Sequence, residues 1–96
     1  MIDLKQTARE AYECAYRRHK ISPGINHNID ASSLAEEVAE LYRASETETS
    51  EHLPEYTETQ EELTDILISC LTELYKRGTD IEAILAAKMK FNSKRT

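Results

Sequence analysis

The chain has 96 residues, 40% of them apolar and 31% charged, with a formal net charge of −6. That length allows one modest hydrophobic core, and that composition is unlike a disordered segment. The acidic balance excludes a generic nucleic-acid binder, and no apolar run approaches the ~18 residues of a membrane span.

From Leu4 to about His19 the residues Leu4, Ala8, Ala11, Tyr12, Ala15 and Tyr16 fall on one helical stripe, with Asp3 as N-cap and Gln6 three residues on. The cysteine of this segment, Cys14, and the later Cys70 lie in apolar helical surroundings without a CxxC or Cys/His cluster. No secretory signal is recognisable, so both thiols are expected to be reduced core residues of a cytoplasmic protein. The stretch SPGINHNID, residues 22–30, is turn chemistry through Pro23, Gly24 and two asparagines.

A second helix is expected over 33–44, opened by a capping box of Ser33 and Glu36, with Leu34, Val38, Leu41 and Tyr42 as its apolar face. Residues 44–59 have no periodicity and contain Pro54, which predicts a mobile loop. The third helix, 59–77, carries the strongest pattern: Leu63, Ile66, Leu67, Cys70, Leu71, Leu74 and Tyr75, ended by Gly78. Ile68 lies off that stripe by about 130° at ~100° per residue, as a subunit contact would. The fourth helix, about 80–93, is expected to be capped by Thr79 with Glu82, and the segment from Lys88 to Arg95 is the one distinctly basic stretch. The fold expected is an all-α bundle of four helices in one domain, completed by oligomerisation as a homodimer or homotetramer.

The segment LAEEVAELYR, residues 34–43, packs Glu36, Glu37 and Glu40 into little more than one turn, and QEELTDIL, residues 60–67, sets Glu62 and Asp65 at the same i,i+3 spacing. Glu61 lies beside them and Glu58 extends the row by a turn. Rotation alone places these acids on the flank and rear of their helices, as a solvated polar face requires. Two features point further. None of the four spaced acids has a basic residue four positions on, although like charges at i,i+4 cost roughly 0.2–0.5 kcal/mol per pair. The i,i+3 device also occurs on two consecutive helices, and converging carboxylates are hard oxygen ligands suited to Mg²⁺ or Mn²⁺.

Glu37-Val38-Ala39-Glu40, then Glu62-Leu63-Thr64-Asp65, then Lys88, Asn92 and Arg95 in KMKFNSKR, resemble the motifs of the MazG-like nucleoside triphosphate pyrophosphohydrolases, relatives of the dimeric dUTPases. The resemblance runs from about residue 31 to the end. It implies Mg²⁺-dependent hydrolysis of a nucleoside or deoxynucleoside triphosphate to the monophosphate and pyrophosphate. Glu37, Glu40, Glu62 and Asp65 would then be metal ligands, one of them or Glu36 the proton acceptor, and Lys88, Asn92 and Arg95 contacts to phosphate or sugar. With no tryptophan, base stacking would fall to Tyr12, Tyr16, Tyr42, Tyr56 or Phe91. The alternative is a catalytically silent all-α interaction or regulatory module. His19, His27 and His52 have no metal-site spacing, and no nucleophile–histidine pair or Gly-rich phosphate loop is present.

Overall fold

Four helices follow one another in the computed structural model, which describes residues 2–22 and 24–95: α1 (Leu4–Arg17), α2 (His27–Arg43), α3 (Glu58–Lys76) and α4 (Ile81–Ser93). Pro23, read above as part of a turn, lies outside the described residues. Among the described residues no strand forms, and Thr49 and Thr57 make an isolated antiparallel bridge. No described helix is long and apolar enough to cross a membrane.

Helix starts follow side chains that satisfy orphan N–H groups. Asp3 accepts from the Gln6 amide at 3.2 Å, opening α1 as expected. α2 departs from the sequence reading by starting at His27, not Ser33. Asn26 accepts from the Ile29 N–H at 3.1 Å, and its own N–H donates to Asp30 Oδ2 at 3.3 Å. Those reciprocal bonds turn HNID into a first helical turn, and Ser33 and Glu36 fall inside the helix. α3 opens on a capping box between Thr57 and Gln60, with N–H···O distances of 3.1 and 2.9 Å. For α4 the cap is Asp80, which accepts from Ala83 at 3.2 Å, rather than Thr79. The Thr79 N–H is committed elsewhere: it donates to the Leu74 carbonyl at 3.1 Å, while Gly78, at φ 67°, donates to Tyr75 at 3.0 Å. This Schellman stop needs a left-handed residue, which is why glycine stands there. α1 ends the same way, with His19 in the left-handed position at φ 56°.

α3 is the centre of the molecule and touches the other three helices, whereas α2 packs on α3 alone. The core sits at the far end of α3, where Ala8, Leu71 and Ile81 are buried against Leu4, Leu74 and Tyr75. The predicted stripe of α3 is therefore only half used: Leu63 and Leu67 are 51% and 58% exposed, more than the off-stripe Ile68. Cys14 and Cys70 are free and only partly buried, not core residues in the full sense.

α2 is held on α3 at both ends. At one end the buried Asp30 carboxylate accepts from Lys76 Nζ and Arg77 Nη2, both at 3.1 Å, and Glu73 takes the other Arg77 nitrogen at 2.6 Å. Burial pushes the Asp30 carboxyl up, but the hydrogen bonds from Lys76, Asn26 and Arg77 outweigh it and hold the group below its ordinary range. These pairs join the start of α2 to the end of α3, so the two helices run antiparallel. Removing one member of such a pair leaves a buried charge uncompensated. Lys76→Met is expected to lower stability to urea by about 3 kcal/mol. The double variant Asp30→Leu/Lys76→Met should lose less than the sum of its two single variants, which a double-mutant cycle measures.

Candidate metal centre

At the opposite end of the α2–α3 pair the loop between them is folded, contrary to the mobile segment expected. The Ser45 N–H donates to Glu58 Oε1 at 2.9 Å, and the Thr59 N–H donates to the Ser45 carbonyl at 3.1 Å. The Ser50 hydroxyl, 2% exposed, donates to Glu61 Oε1 at 2.6 Å and accepts from the Leu53 N–H at 3.0 Å. His52 Nδ1 meets the other oxygen of Glu61 at 3.0 Å. Ser50 first, then His52, hold Glu61 below the ordinary carboxylate range, and Glu61 raises His52 in return. Glu58 and Glu61, grouped with the acidic row in the sequence, are thus loop anchors. Ser45 as the partner of Glu58, and Ser50 and His52 as those of Glu61, are the residues that the sequence reading missed; polar loop residues pairing across the chain leave no periodic signal.

With those two acids diverted, the cluster that remains is sharply defined. Glu37, Glu40 and Glu62 each bring a carboxylate oxygen within 4.8 Å of the others. Glu37 and Glu62 are half-buried and Glu40 is exposed. Asp65 stands outside this trio, yet its charge acts on both Glu37 and Glu62. Glu36 is exposed at the margin, where its charge reaches Glu37.

The cluster is electrostatically frustrated. Burial raises the Glu37, Glu62 and Asp65 carboxyls above their ordinary range, and neighbouring acids raise each further. For Glu62 these are Asp65, Glu40, Glu61 and Glu37 in falling order. His52 and Arg18 offset part of the effect at Asp65. The Oε2 atom of Glu62 is buried without a hydrogen-bond partner. A buried carboxylate oxygen left unpaired is costly, and three convergent hard oxygens are the donor set that a divalent cation takes. The cluster therefore offers oxygen ligands at the spacing a cation site would need.

The basic tail does not join this cluster within one chain. α4 touches α1 and α3 but not α2. Lys88 sits over the Phe91 ring at 4.8 Å from its centroid, and Arg95 lies over the same ring at 5.8 Å. No hydrogen bond links Lys88, Asn92 or Arg95 to a carboxylate among the described residues. Tyr12 stacks with Tyr16 at 6.2 Å and meets Tyr75 at 5.2 Å, while Tyr42, Tyr56 and Phe91 are exposed. A cavity of about 120 Å³ between α1, α2 and α3 shares Glu37 with the cluster. A larger one, about 560 Å³, opens beside the α3–α4 turn and contains none of the four acids. No protein-family model, curated protein or solved structure matches this chain.

Folding here favours the protonated forms of Glu37, Glu62 and Asp65, so their contribution to stability shrinks as pH rises from the ordinary unfolded values through the raised folded ones. Asp30 has the opposite sign and loses its contribution only as pH falls below the ordinary aspartate range. In metal-free buffer the thermal midpoint is expected to rise as pH is lowered from neutral towards the ordinary carboxylate range, then fall below the ordinary aspartate range. Glu62→Gln should flatten the rise and stabilise the metal-free protein at neutral pH by roughly 0.2–0.5 kcal/mol for each like-charge neighbour relieved.

Proposed function

We propose that the carboxylate centre of Glu37, Glu40 and Glu62, with Asp65 beside it, binds Mg²⁺, with Mn²⁺ as a substitute, and hydrolyses a nucleoside triphosphate to the monophosphate and pyrophosphate. The observation that carries this reading is the convergence of Glu37, Glu40 and Glu62, the last of which also has a buried, unpaired carboxylate oxygen. The order of the acidic motifs and the KMKFNSKR ending support it as a MazG-like resemblance.

Glu37, Glu40 and Glu62 would hold the cation, with Asp65 beside them as the fourth ligand that the resemblance implies. Bound there, it supplies positive charge against the phosphate oxygens and makes water acidic enough to act as a nucleophile near neutral pH. A carboxylate oxygen of the cluster, or of the adjacent Glu36, takes the proton of the attacking water. Ser50 and His52 keep Glu61 turned towards the loop, which leaves Glu62 and Asp65 as the acids of α3 that would be available to a cation. The antiparallel register set by Asp30 keeps Glu37 and Glu40 opposite them.

The same reading includes a second copy of the chain. α2 exposes half of Val38, α3 half of Leu63 and Leu67, and α4 about half or more of Ile84, Leu85 and Met89. In a homodimer or homotetramer these surfaces cover one another, and α4 of a second copy brings Lys88, Asn92 and Arg95 towards the triphosphate.

Following pyrophosphate over a nucleotide panel with Mg²⁺ tests the hydrolase. Asp65→Asn or Glu62→Gln is expected to reduce release by about a hundredfold or more, since even outer-shell changes at metal sites cost 10–100-fold. Mg²⁺ at ~100 times its dissociation constant should add about 2.7 kcal/mol of stability, an increment lost in Glu37→Gln. No Mg²⁺-dependent turnover of any nucleotide, together with no thermal shift, would leave the catalytically silent interaction module as the better account. Leu67→Glu and Ile68→Glu are each expected to move the sedimentation profile towards smaller species; an unchanged profile for both counts against the oligomer.

A further inference from the structure

α1 ends in Arg17-Arg18-His19-Lys20, a short basic run that the sequence reading passed over. All four are exposed, and none makes an ion pair or a side-chain hydrogen bond among the described residues. The run is nevertheless fixed to the helix. The Arg18, His19 and Lys20 N–H groups donate to the Cys14, Tyr16 and Ala15 carbonyls at 3.0, 3.0 and 2.9 Å, with His19 left-handed at φ 56°. A helix C-terminus favours basic side chains through its dipole, which accounts for cations at this end in general. What the dipole does not account for is where two of them stand. Lys20 lines the cavity of about 120 Å³ together with Glu37, a member of the carboxylate trio. Arg18 acts on Asp65 with a sign opposite to that of the acids around it. α1 thus brings positive charge to the edge of a cluster whose carboxylates come from α2 and α3. Other cations are engaged elsewhere: Arg9 by Glu13, Lys76 and Arg77 by Asp30 and Glu73, Lys88 and Arg95 over the Phe91 ring.

The geometry points to Arg18 and Lys20 as a seat for phosphate on this chain itself, holding the oxygens that the proposed cation leaves uncovered. The inference rests on the hydrolase reading for the identity of the anion, whereas the cationic edge stands on the residues alone. A divalent cation ringed by the carboxylate trio is already overcompensated, so the centre by itself offers a polyanion no net attraction. Fixed positive charge at its margin restores the attraction and gives the phosphate oxygens donors to align on. Arginine brings a planar fork for two oxygens, and lysine a compact charge on a flexible stem. Neither side chain has to break an ion pair in order to turn to a ligand. The resemblance gives the phosphate contacts to Lys88, Asn92 and Arg95, on a helix that does not touch α2. Arg18 and Lys20 need no second copy.

The test is calorimetric binding of inorganic triphosphate to the full chain in Mg²⁺, which requires no base and no turnover. Arg18→Gln and Lys20→Gln are each expected to weaken binding about tenfold, the loss that a hydrogen bond to a charged group carries. Arg18→Lys and Lys20→Arg, which keep the charge, should lose less. Arg9→Gln removes a cation of α1 that Glu13 already engages, and should leave the affinity unchanged. Both residues are exposed, so the helical signal and the Mg²⁺ thermal shift should persist in every variant. No binding of triphosphate, unchanged affinity in both Gln variants, or an equal loss in Arg9→Gln would overturn the assignment. Mg²⁺-dependent pyrophosphate release from a nucleotide, with KM the same in both Gln variants as in the unaltered chain, would sink the phosphate seat and leave the hydrolase standing. Triphosphate binding that depends on Arg18 and Lys20, without pyrophosphate release from any nucleotide, would do the reverse.

Discussion

α2 has no helix to lean on except α3, and the position of every acid on it depends on how that one pair is pinned. The pinning is polar. At one end a buried carboxylate, Asp30, is shared by Lys76 and Arg77; at the other, Glu58 and Glu61 accept from Ser45 and Ser50 of the connecting loop. Hydrophobic packing tolerates sliding, because apolar contact has no preferred register. Hydrogen-bonded charge does not, since moving the Asp30 end by one residue strands a buried ionic group and moving the other end breaks the bonds to Glu58 and Glu61. Glu37, Glu40, Glu62 and Asp65 lie between the two anchors, so the register that they need is imposed from outside the cluster.

Those anchors also let the cluster exist. Three carboxyls pushed above their ordinary range by burial and by one another are a standing cost to the fold. Asp30 works in the opposite direction, as does Glu61, both being held below the ordinary range by their partners. The chain thus carries two kinds of acid on the same pair of helices: some satisfied internally and stabilising, others left with one another. A cation is the simplest group that would reconcile the second kind.

The apolar part of the structure is correspondingly thin. Ala8, Leu71 and Ile81 are the buried core among the described residues, and they lie at the end of α3 remote from the acids. Around Leu63 and Leu67 the apolar stripe continues towards the cluster with half its surface in water. α4 buries Ile81 in its first turn and leaves Ile84, Leu85 and Met89 about half exposed or more. A chain of this size buries a limited share of its surface by itself, and a stripe left half covered by its own chain is the physical ground for expecting a second copy.

Much of this was legible in the residues. Four helices, the Asp3 cap, the Gly78 stop and the stripe from Leu63 to Tyr75 follow from spacing and capping chemistry, which act within a few residues and therefore leave a local trace. The i,i+3 pairing of Glu37 with Glu40 and of Glu62 with Asp65 was equally plain, because a helix turns by a known angle. Sequence order alone could not tell these acids from Glu58 and Glu61, nor show that Asn26 rather than Ser33 opens α2. Each of those outcomes depends on which distant group pairs with a given donor or acceptor: Ser50 and His52 with Glu61, Asp30 with the Asn26 amide and with Lys76. Local periodicity determined the helices and the candidate acids. Only the tertiary structure, by bringing together groups distant along the chain, decided which carboxylates are satisfied and which are left facing one another.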